Sequence, residues 1–303
     1  MTEFTRVRGS RSLPLFALVG VTAIWGITFV QVQDAIALYP LFAFLAVRFG
    51  ISTAVLAPFA WRSLRTLPRS GYAAGIGVGM LLATAYGLQT TGLELTTVAS
   101  TGFITGLYVV FTPLLALAFF GTPVPRVLWA GVALAVVGLL LLSGVPGGSA
   151  LGNALVLANA VFQAFQITAM ERYAPRYDPR ALTFLQMATS FVGFSVIALT
   201  LGELEVPRGA TVWGALLVTG VFAGALGYLI ATWVQARTTA ARAALVFTLE
   251  APFAALAGVL LASEVLGWVG WLGCAVMMAG ILVAEPAAAA TLRRLSRRGE
   301  APA

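Results

Sequence analysis

Histidine and lysine are absent from this chain of 303 residues, and only 10% of its residues are charged. Without lysine there is no Walker A motif or Schiff base, and without histidine no catalysis that depends on an imidazole. The single Cys274 cannot form an internal disulfide, and its apolar surroundings favour a small core side chain. The spans also lack the paired aspartates or His-bearing dyad of an intramembrane enzyme. The sequence thus predicts no enzyme, no metal site and no cofactor.

Apolar residues dominate what is present. Hydrophobic residues make up 60% of the chain, and the mean hydropathy is +0.95. Soluble domains carry roughly 25% charged residues, so a chain this apolar needs a lipid bilayer around it. The formal charge of +7 does not indicate a nucleic-acid partner, because the arginines stand singly or in small groups between apolar runs of membrane-spanning length.

The apolar runs define ten candidate transmembrane helices, since one span needs about 20 mostly apolar residues. The first run follows Arg6, Arg8 and Arg11 as in a signal peptide, but it lacks a convincing cleavage site and is interpreted as a helix. The ten predicted spans cover residues 13–33, 39–60, 71–92, 98–119, 127–143, 151–171, 181–201, 211–234, 243–262 and 266–284.

The arginines predict the orientation. With both termini in the cytoplasm, only Arg208 lies on the outer side and Arg48 lies within a span. The positive-inside rule favours this arrangement. The use of arginine alone as the basic residue, with abundant alanine and glycine, indicates a GC-rich bacterial genome. The arginines expected at the inner side are Arg6, Arg8, Arg11, Arg62, Arg65, Arg69, Arg126, Arg172, Arg176, Arg180, Arg237, Arg242, Arg293, Arg294, Arg297 and Arg298.

The chain also repeats itself. A shift of 139 residues places Pro113 on Pro252 and Trp129 on Trp268. Because each half has five helices, an odd number, the halves must be inverted relative to each other, and inverted repeats are a transporter architecture. The fold class predicted is all-α, with ten helices in two inverted five-helix repeats. The predicted division is a cytoplasmic segment 1–12, repeats 13–145 and 151–286, and a basic tail 287–303.

Polar and aromatic side chains form stripes at helical spacing in several spans. These stripes predict a cavity for a small-molecule substrate, because polar groups within lipid normally face the bundle interior. The alternative is that they join neighbouring helices, at roughly 0.6 kcal/mol for each pair. Tyr108 and Gln163 are the favoured substrate contacts because both lie near mid-span. The full candidate set is Trp25, Thr28, Tyr86, Gln89, Thr101, Thr105, Tyr108, Gln163, Gln166, Tyr228 and Thr232.

Two spans are almost free of polar residues, and two charges lie inside others. The fifth and tenth spans are expected at the periphery, facing lipid or a second subunit of a homodimer. Arg48 cannot deprotonate in practice, so we expect helix-end carbonyls or a carboxylate to satisfy it in a structural role, with substrate binding as the alternative. Glu250 is either a carrier of a coupling proton or a polar anchor for backbone N–H groups freed at Pro252.

Four short motifs carry a family resemblance between Leu13 and Glu285. They are Trp25-Gly26, Arg48-Phe49, the Pro113 segment, and Arg242 with Glu250-Ala251-Pro252. The chain resembles the EamA type of the drug/metabolite transporter superfamily, and most of all the YddG-like exporters of aromatic amino acids. In that family a glutamate usually stands directly before the proline, whereas Ala251 intervenes here. The resemblance implies ten helices in inverted repeats, residence in the inner membrane and export of amino acids or related metabolites.

The leading hypothesis is therefore an amino-acid exporter that works by alternating access. Amides and hydroxyls beside aromatic rings suit a zwitterion with a large apolar side chain. The lining has no basic cluster for phosphate, which disfavours a nucleotide-sugar carrier. A broad exporter of cationic drugs stays open, because aromatic rings bind cations.

Overall fold

A computed structural model describes residues 13–143, 148–261 and 266–284. The predicted cytoplasmic segment 1–12 and basic tail 287–303, with seven of the arginines used to orient the chain, lie outside the described residues. So do the boundaries at 145 and 286.

The described residues form helices joined by short connections. One continuous stretch, residues 210–235, consists of two α-helices with a π-helix between them. The helices are α1 (Leu13–Ile36), α2 (Leu41–Thr66), α3 (Arg69–Leu95), α4 (Val98–Gly106), α5 (Tyr108–Phe120), α6 (Arg126–Ser143), α7 (Ala150–Tyr173), α8 (Pro179–Leu201), α9 (Ala210–Leu217), the π-helix (Val218–Gly227), α10 (Tyr228–Gln235), α11 (Ala240–Phe247), α12 (Glu250–Leu261) and α13 (Trp268–Ala284).

Nine stretches of this described part are long and apolar enough to cross a membrane. Each matches one of the first nine predicted spans, although α2 and α3 run several residues further at their ends. The tenth predicted span is the apolar helix α13, which has only 17 residues. At 1.5 Å per residue it extends about 26 Å, somewhat less than the roughly 30 Å hydrocarbon core.

Two of these stretches are interrupted near a proline. Leu107 separates α4 from α5, and Thr248 and Leu249 separate α11 from α12. At the second break the N–H groups of Leu249 and Ala251 donate to carbonyls three residues earlier, at 3.0 and 3.2 Å. Pro252 has no N–H to continue the regular ladder, which favours a break just before it. The two interruptions occur in the helices that the 139-residue shift aligns.

The π-helix lies against α2 through residues without side chains. A Cβ at Gly224 would overlap the Ser52 hydroxyl oxygen, so a larger residue there would displace the Ser52 side chain. The same hydroxyl donates to the carbonyl of Gly220 at 2.7 Å. The close contact therefore fixes a wide helical turn beside the second helix, and π-helical turns are frequent at functional sites.

The helices α6 and α13 pack along each other in opposite directions. A Cβ at Gly131 would meet the Gly280 carbonyl at 2.8 Å, and one at Gly138 would meet the Gly273 carbonyl at 2.7 Å. Gly131 near the start of α6 thus meets Gly280 near the end of α13, and Gly138 further along α6 meets the earlier Gly273. The two helices are therefore antiparallel. We expected both at the periphery facing lipid or a partner, but one face of each is buried against the other.

The two ends of the bundle differ in charge. At one end Ser63 in α2 donates to Asp178 in the connection between α7 and α8, and the Ala240 N–H at the start of α11 donates to Glu171 in α7. The described arginines at this basic end are Arg62, Arg65, Arg69, Arg126, Arg172, Arg176, Arg180, Arg237 and Arg242. The opposite, acidic end carries Arg208 with Asp34, Glu94, Glu203 and Glu205.

A pair of contacts ties the acidic end together. The Tyr39 hydroxyl donates to the Glu205 carbonyl at 2.5 Å, and the Phe42 N–H donates to the Glu203 carboxylate at 3.3 Å. Burial raises the pKa of the Tyr39 phenol above its ordinary value, and the Glu205 carboxylate raises it further. The phenol consequently stays protonated and able to donate. These bonds hold the connection between α8 and α9 against the start of α2.

Candidate functional site

A small cleft with a volume of about 40 Å³ lies between α1, α2, α3 and the beginning of α12. On α1 and α3 its lining residues follow one helical face and approach the acidic end of the bundle. Its lining consists of Trp25, Thr28, Val32, Arg48, Tyr86, Gln89, Thr90, Leu93 and Glu250.

Arg48 supplies a buried positive charge to this cleft. Its side chain is only 5% exposed, and its guanidinium carbon lies 4.9 Å from the centre of the Tyr86 ring. One terminal nitrogen donates to the Tyr86 hydroxyl at a long 3.4 Å, while the buried Nε has no hydrogen-bond partner. The carbonyl or carboxylate partner that we expected from the sequence is not found among the described residues. A buried donor left unpaired is costly, so the guanidinium favours an added acceptor.

Glu250 supplies a carboxyl group to the same cleft. It is the first residue of α12, directly after the break in this span. Within the described structure its carboxylate forms no hydrogen bond or ion pair with Arg48, although both side chains line the cleft. The N–H groups of Ala251 and Phe253 donate to backbone carbonyls instead of to this carboxylate. The anchoring role that we considered for Glu250 is therefore not seen in this geometry.

Aromatic rings close the cleft on the side of the basic end. The Trp25 ring lies 5.0 Å from the Tyr228 ring and 5.3 Å from the Phe247 ring. The Tyr228 hydroxyl donates to the Tyr86 hydroxyl at 3.1 Å. Trp25 is fixed because its indole N–H donates to the carbonyl of Ala223 in the π-helix at 3.0 Å. The π-helix thus contacts α2 and also positions Trp25, whose ring forms the aromatic floor of the cleft with those of Tyr228 and Phe247.

This arrangement of broken helices around a charged cleft can be compared with known proteins. The family model of the EamA-like transporter family matches residues 12–144 and again 150–284. The chain belongs to the EamA-like transporter family. It is similar to an uncharacterized transporter of Archaeoglobus fulgidus, with 31% identity over 266 residues, or 87% of this chain and 82% of that protein. The fold also matches a solved crystal structure with a TM-score of 0.76 at 20% identity, over 94% of this chain and 99% of the other.

The predictions of an all-helical membrane protein and of a transporter are confirmed at this level. The transporter brings together six of the side chains singled out from the sequence. The cleft is lined by Trp25, Thr28, Tyr86, Gln89, Arg48 and Glu250.

The other predicted site residues lie outside this cleft. Several of them form hydrogen bonds between neighbouring helices, which is the role that the alternative interpretation of the stripes predicted. The Thr105 hydroxyl accepts from Gln89 at 3.2 Å and from Asn159 at 3.1 Å, and so links α3, α4 and α7. The predicted residues that do not line the cleft are Thr101, Thr105, Tyr108, Gln163, Gln166, Tyr228 and Thr232.

Similar bonds explain three more of these residues. Gln166 donates to Gln186 at 2.9 Å, and Thr183 donates to Thr232 at 3.0 Å, which tie α8 to α7 and α10. The Thr101 hydroxyl donates to the carbonyl of Thr97 in its own helix. Thr105, Gln166 and Thr232 therefore mark helix contacts in the described conformation, whereas the Thr101 hydroxyl bonds within its own segment.

The two favoured substrate contacts are also set back from the cleft. Tyr108 is only 4% exposed and begins α5 immediately after the break at Leu107. Gln163 is half-buried on α7. Neither side chain lines the cleft in this conformation.

Three lining residues were missed in the sequence. Thr90 and Leu93 extend the pair Tyr86 and Gln89 along one face of α3, at spacings of three and four residues. Val32 continues the line of Trp25 and Thr28 on α1 in the same way. Helical periodicity applied to those two pairs was the signal that could have identified them.

Proposed function

We propose that this transporter exports amino acids, aromatic ones among them, and related metabolites by alternating access. The observation that carries the proposal is the presence of an arginine and a carboxyl group in one cleft. Arg48 and Glu250 both line it and are not bonded to each other in the described structure. A zwitterion brings one carboxylate and one ammonium, which complement these two side chains. Its binding would pair both buried charges.

The proposed contacts follow from the chemistry of each group. The substrate carboxylate accepts hydrogen bonds from the Arg48 guanidinium, whose planar donors suit a carboxylate. The ammonium lies against Glu250 and the face of Trp25, since aromatic rings attract cations. Tyr86 and Leu93 then contact the apolar side chain of the substrate. The aromatic lining favours the larger amino acids and agrees with the resemblance to the YddG type.

The other substrate classes fit the charges less well. A cationic drug would meet Glu250 and the rings but would also face the positive Arg48. A nucleotide sugar would have one arginine for its phosphates, and Glu250 beside it would repel them. Either class satisfies one of the two buried charges and opposes the other.

The proposed architecture is ten helices in two inverted repeats, 13–145 and 151–286, with both termini in the cytoplasm of a bacterium. The antiparallel packing of α6 on α13 supports the inversion, because these are the fifth helices of the two halves. The two separate matches of the family model support the division. In this orientation the basic end is cytoplasmic, as the positive-inside rule requires.

The position of the cleft supports a proposal for the state of the transport cycle. From its aromatic floor at Trp25 the lining continues along α1 and α3 to Val32 and Leu93, near the ends of these helices at the acidic side. We therefore propose that the conformation described here is open to the outside and closed to the cytoplasm. The breaks at Leu107 and Thr248 are the proposed points of movement, since paired interruptions mark binding regions of inverted-repeat transporters. A homodimer formed through the lipid-facing sides is part of the proposal.

Transport into liposomes tests the proposed function directly. Purified protein is reconstituted, and labelled phenylalanine, tryptophan, leucine, a cationic dye and a nucleotide sugar are compared with and without a proton gradient. Protein-dependent uptake of the aromatic amino acids, reduced by unlabelled competitor, is expected. Transport of the dye or nucleotide sugar without any amino acid would replace the proposed substrate class.

A further inference from the structure

A second recess lies at the basic end of the bundle, away from the cleft. It has a volume of about 780 Å³ and lies between α10 and the connection that joins α7 to α8. We call it the basic groove. It shares no lining residue with the cleft, so nothing in the proposed transport chemistry uses it.

The wall that α10 contributes to the basic groove changes character with depth. Leu229 and Ile230 lie in the first turn, Trp233 follows one turn later, and Arg237 lies just after the helix ends. Because α10 runs toward the basic end, apolar side chains come first, then an indole, then a guanidinium. A membrane lipid has the same order of acyl chain, interface and headgroup. Tryptophan is characteristic of the interfacial level between the two.

Three arginines surround the mouth of the groove: Arg176, Arg180 and Arg237, all exposed. Arg237 stacks 4.3 Å from the centre of the Trp233 ring and donates one N–H to the Trp233 carbonyl at 2.6 Å. A guanidinium has five N–H donors, and the rest of those on Arg237 have no partner among the described residues. Stacking therefore fixes the orientation of a side chain that still has donors to offer.

The acidic residue in the lining does not neutralise this cluster through ion pairs. Asp178 caps the start of α8, where one carboxylate oxygen accepts from the Arg180 backbone N–H at 2.8 Å. The other oxygen accepts from the Ser63 hydroxyl at 2.7 Å. Both oxygens are thus engaged in holding the connection together. The groove retains more positive than negative charge.

We propose that the basic groove binds an anionic phospholipid of the leaflet at the basic end. The headgroup phosphate accepts hydrogen bonds from Arg176, Arg180 and Arg237, and an acyl chain lies along Leu229 and Ile230. Basic pockets between transmembrane helices are suited to such headgroups. The apolar wall distinguishes a lipid from free phosphate, which would use the arginines alone. This inference is independent of the substrate that the cleft carries.

Native mass spectrometry of the full chain tests the proposal with phosphatidylglycerol and phosphatidylcholine in mixed micelles. The double variant Arg176→Gln/Arg237→Gln removes two of the headgroup donors. Arg65→Gln is the matched control, because Arg65 stacks 4.5 Å from the Trp61 ring at the same end but does not line the groove. We expect at least a tenfold weaker retention of phosphatidylglycerol in the double variant, an unchanged retention in the control, and little phosphatidylcholine in any protein.

Two further arms make the outcome decisive. The variant Arg176→Lys/Arg237→Lys keeps both charges and should retain most of the lipid, which separates loss of charge from loss of folding. Glycerol phosphate, the soluble headgroup, should compete poorly. An equal loss of lipid in Arg65→Gln, an equal loss in the lysine variant, or competition by glycerol phosphate as strong as by the lipid would each overturn the proposal.

Discussion

Gly26 in α1 passes so close to the start of α12 that a Cβ at position 26 would lie 2.6 Å from the Glu250 carbonyl oxygen and 2.7 Å from the Ala254 nitrogen. Both atoms belong to the backbone and cannot rotate away. The absence of a side chain at Gly26 therefore sets the distance between Trp25 and Glu250 across the cleft. The first helix reaches the cleft only because this residue is glycine.

The variant Gly26→Ala should destabilise the protein and impair transport. The added methyl has to push α1 away from α12, and overpacking of this kind costs about 1–3 kcal/mol. Thermal unfolding in detergent measures the loss. Gly20→Ala in the same helix is the matched control, because nothing lies within 4 Å of a Cβ there. Equal melting temperatures for the two variants would contradict the close crossing.

Arg48→Gln should weaken binding of amino acids that have a free carboxylate. A hydrogen bond to a charged group contributes about 1.5–3 kcal/mol, which corresponds to a loss of about ten- to a hundredfold in affinity. Uptake of labelled phenylalanine, with competition by unlabelled phenylalanine and by phenylalanine amide, measures it. The unmodified protein should prefer the acid over the amide, and the variant should lose this preference. If the variant keeps it, the carboxylate lies elsewhere.

Glu250→Gln tests the negative side of the cleft and the coupling to protons. The neutral amide cannot carry a coupling proton, so a gradient should no longer drive uptake, although exchange of substrate across the membrane continues at a reduced rate. The measurement is uptake as a function of external pH, with Glu94→Gln as the matched control, because Glu94 is exposed and does not line the cleft. Full gradient-driven transport by Glu250→Gln would remove this residue from the coupling mechanism.

Tyr108→Ala and Gln163→Ala separate packing from substrate contact. Tyr108 is buried among helices, so its truncation should cost about 3–5 kcal/mol of stability, and transport should fall in step with the amount of folded protein. Gln163 is half-buried away from the cleft, and its variant should transport normally. A severalfold loss of transport at normal stability in either variant would restore the expectation from the sequence that these residues touch substrate.

Cysteine labelling tests the orientation. In a Cys274→Ala background, Glu205→Cys at the acidic end should react with an impermeant maleimide added to intact cells. Arg69→Cys at the basic end should react only after the membrane is opened. Labelling of both residues in intact cells would contradict the proposed topology, and the inverted repeats with it.

The sequence by itself determined the membrane class, the positions of the helices and the family. These follow from hydropathy, from the arginine distribution and from short motifs, all of which are local properties of the chain. The pair Trp25-Gly26 was identified in the sequence as one of these family motifs. Its physical reason became visible only when α12 was seen lying against α1.

Only the tertiary structure decided which polar side chains line a cavity. A stripe such as Thr101, Thr105 and Tyr108 shows that one helix face is polar, but the neighbouring helix determines whether that face meets water or another hydroxyl. The Thr105 hydroxyl accepts hydrogen bonds from Gln89 and Asn159, so at this position the polar face forms a contact between helices. Arg48 and Glu250, far apart in the chain, came to share one cleft because the packing of α2 and α12 around α1 placed them there. No local pattern contains that packing, since it depends on the shapes of all the helices at once.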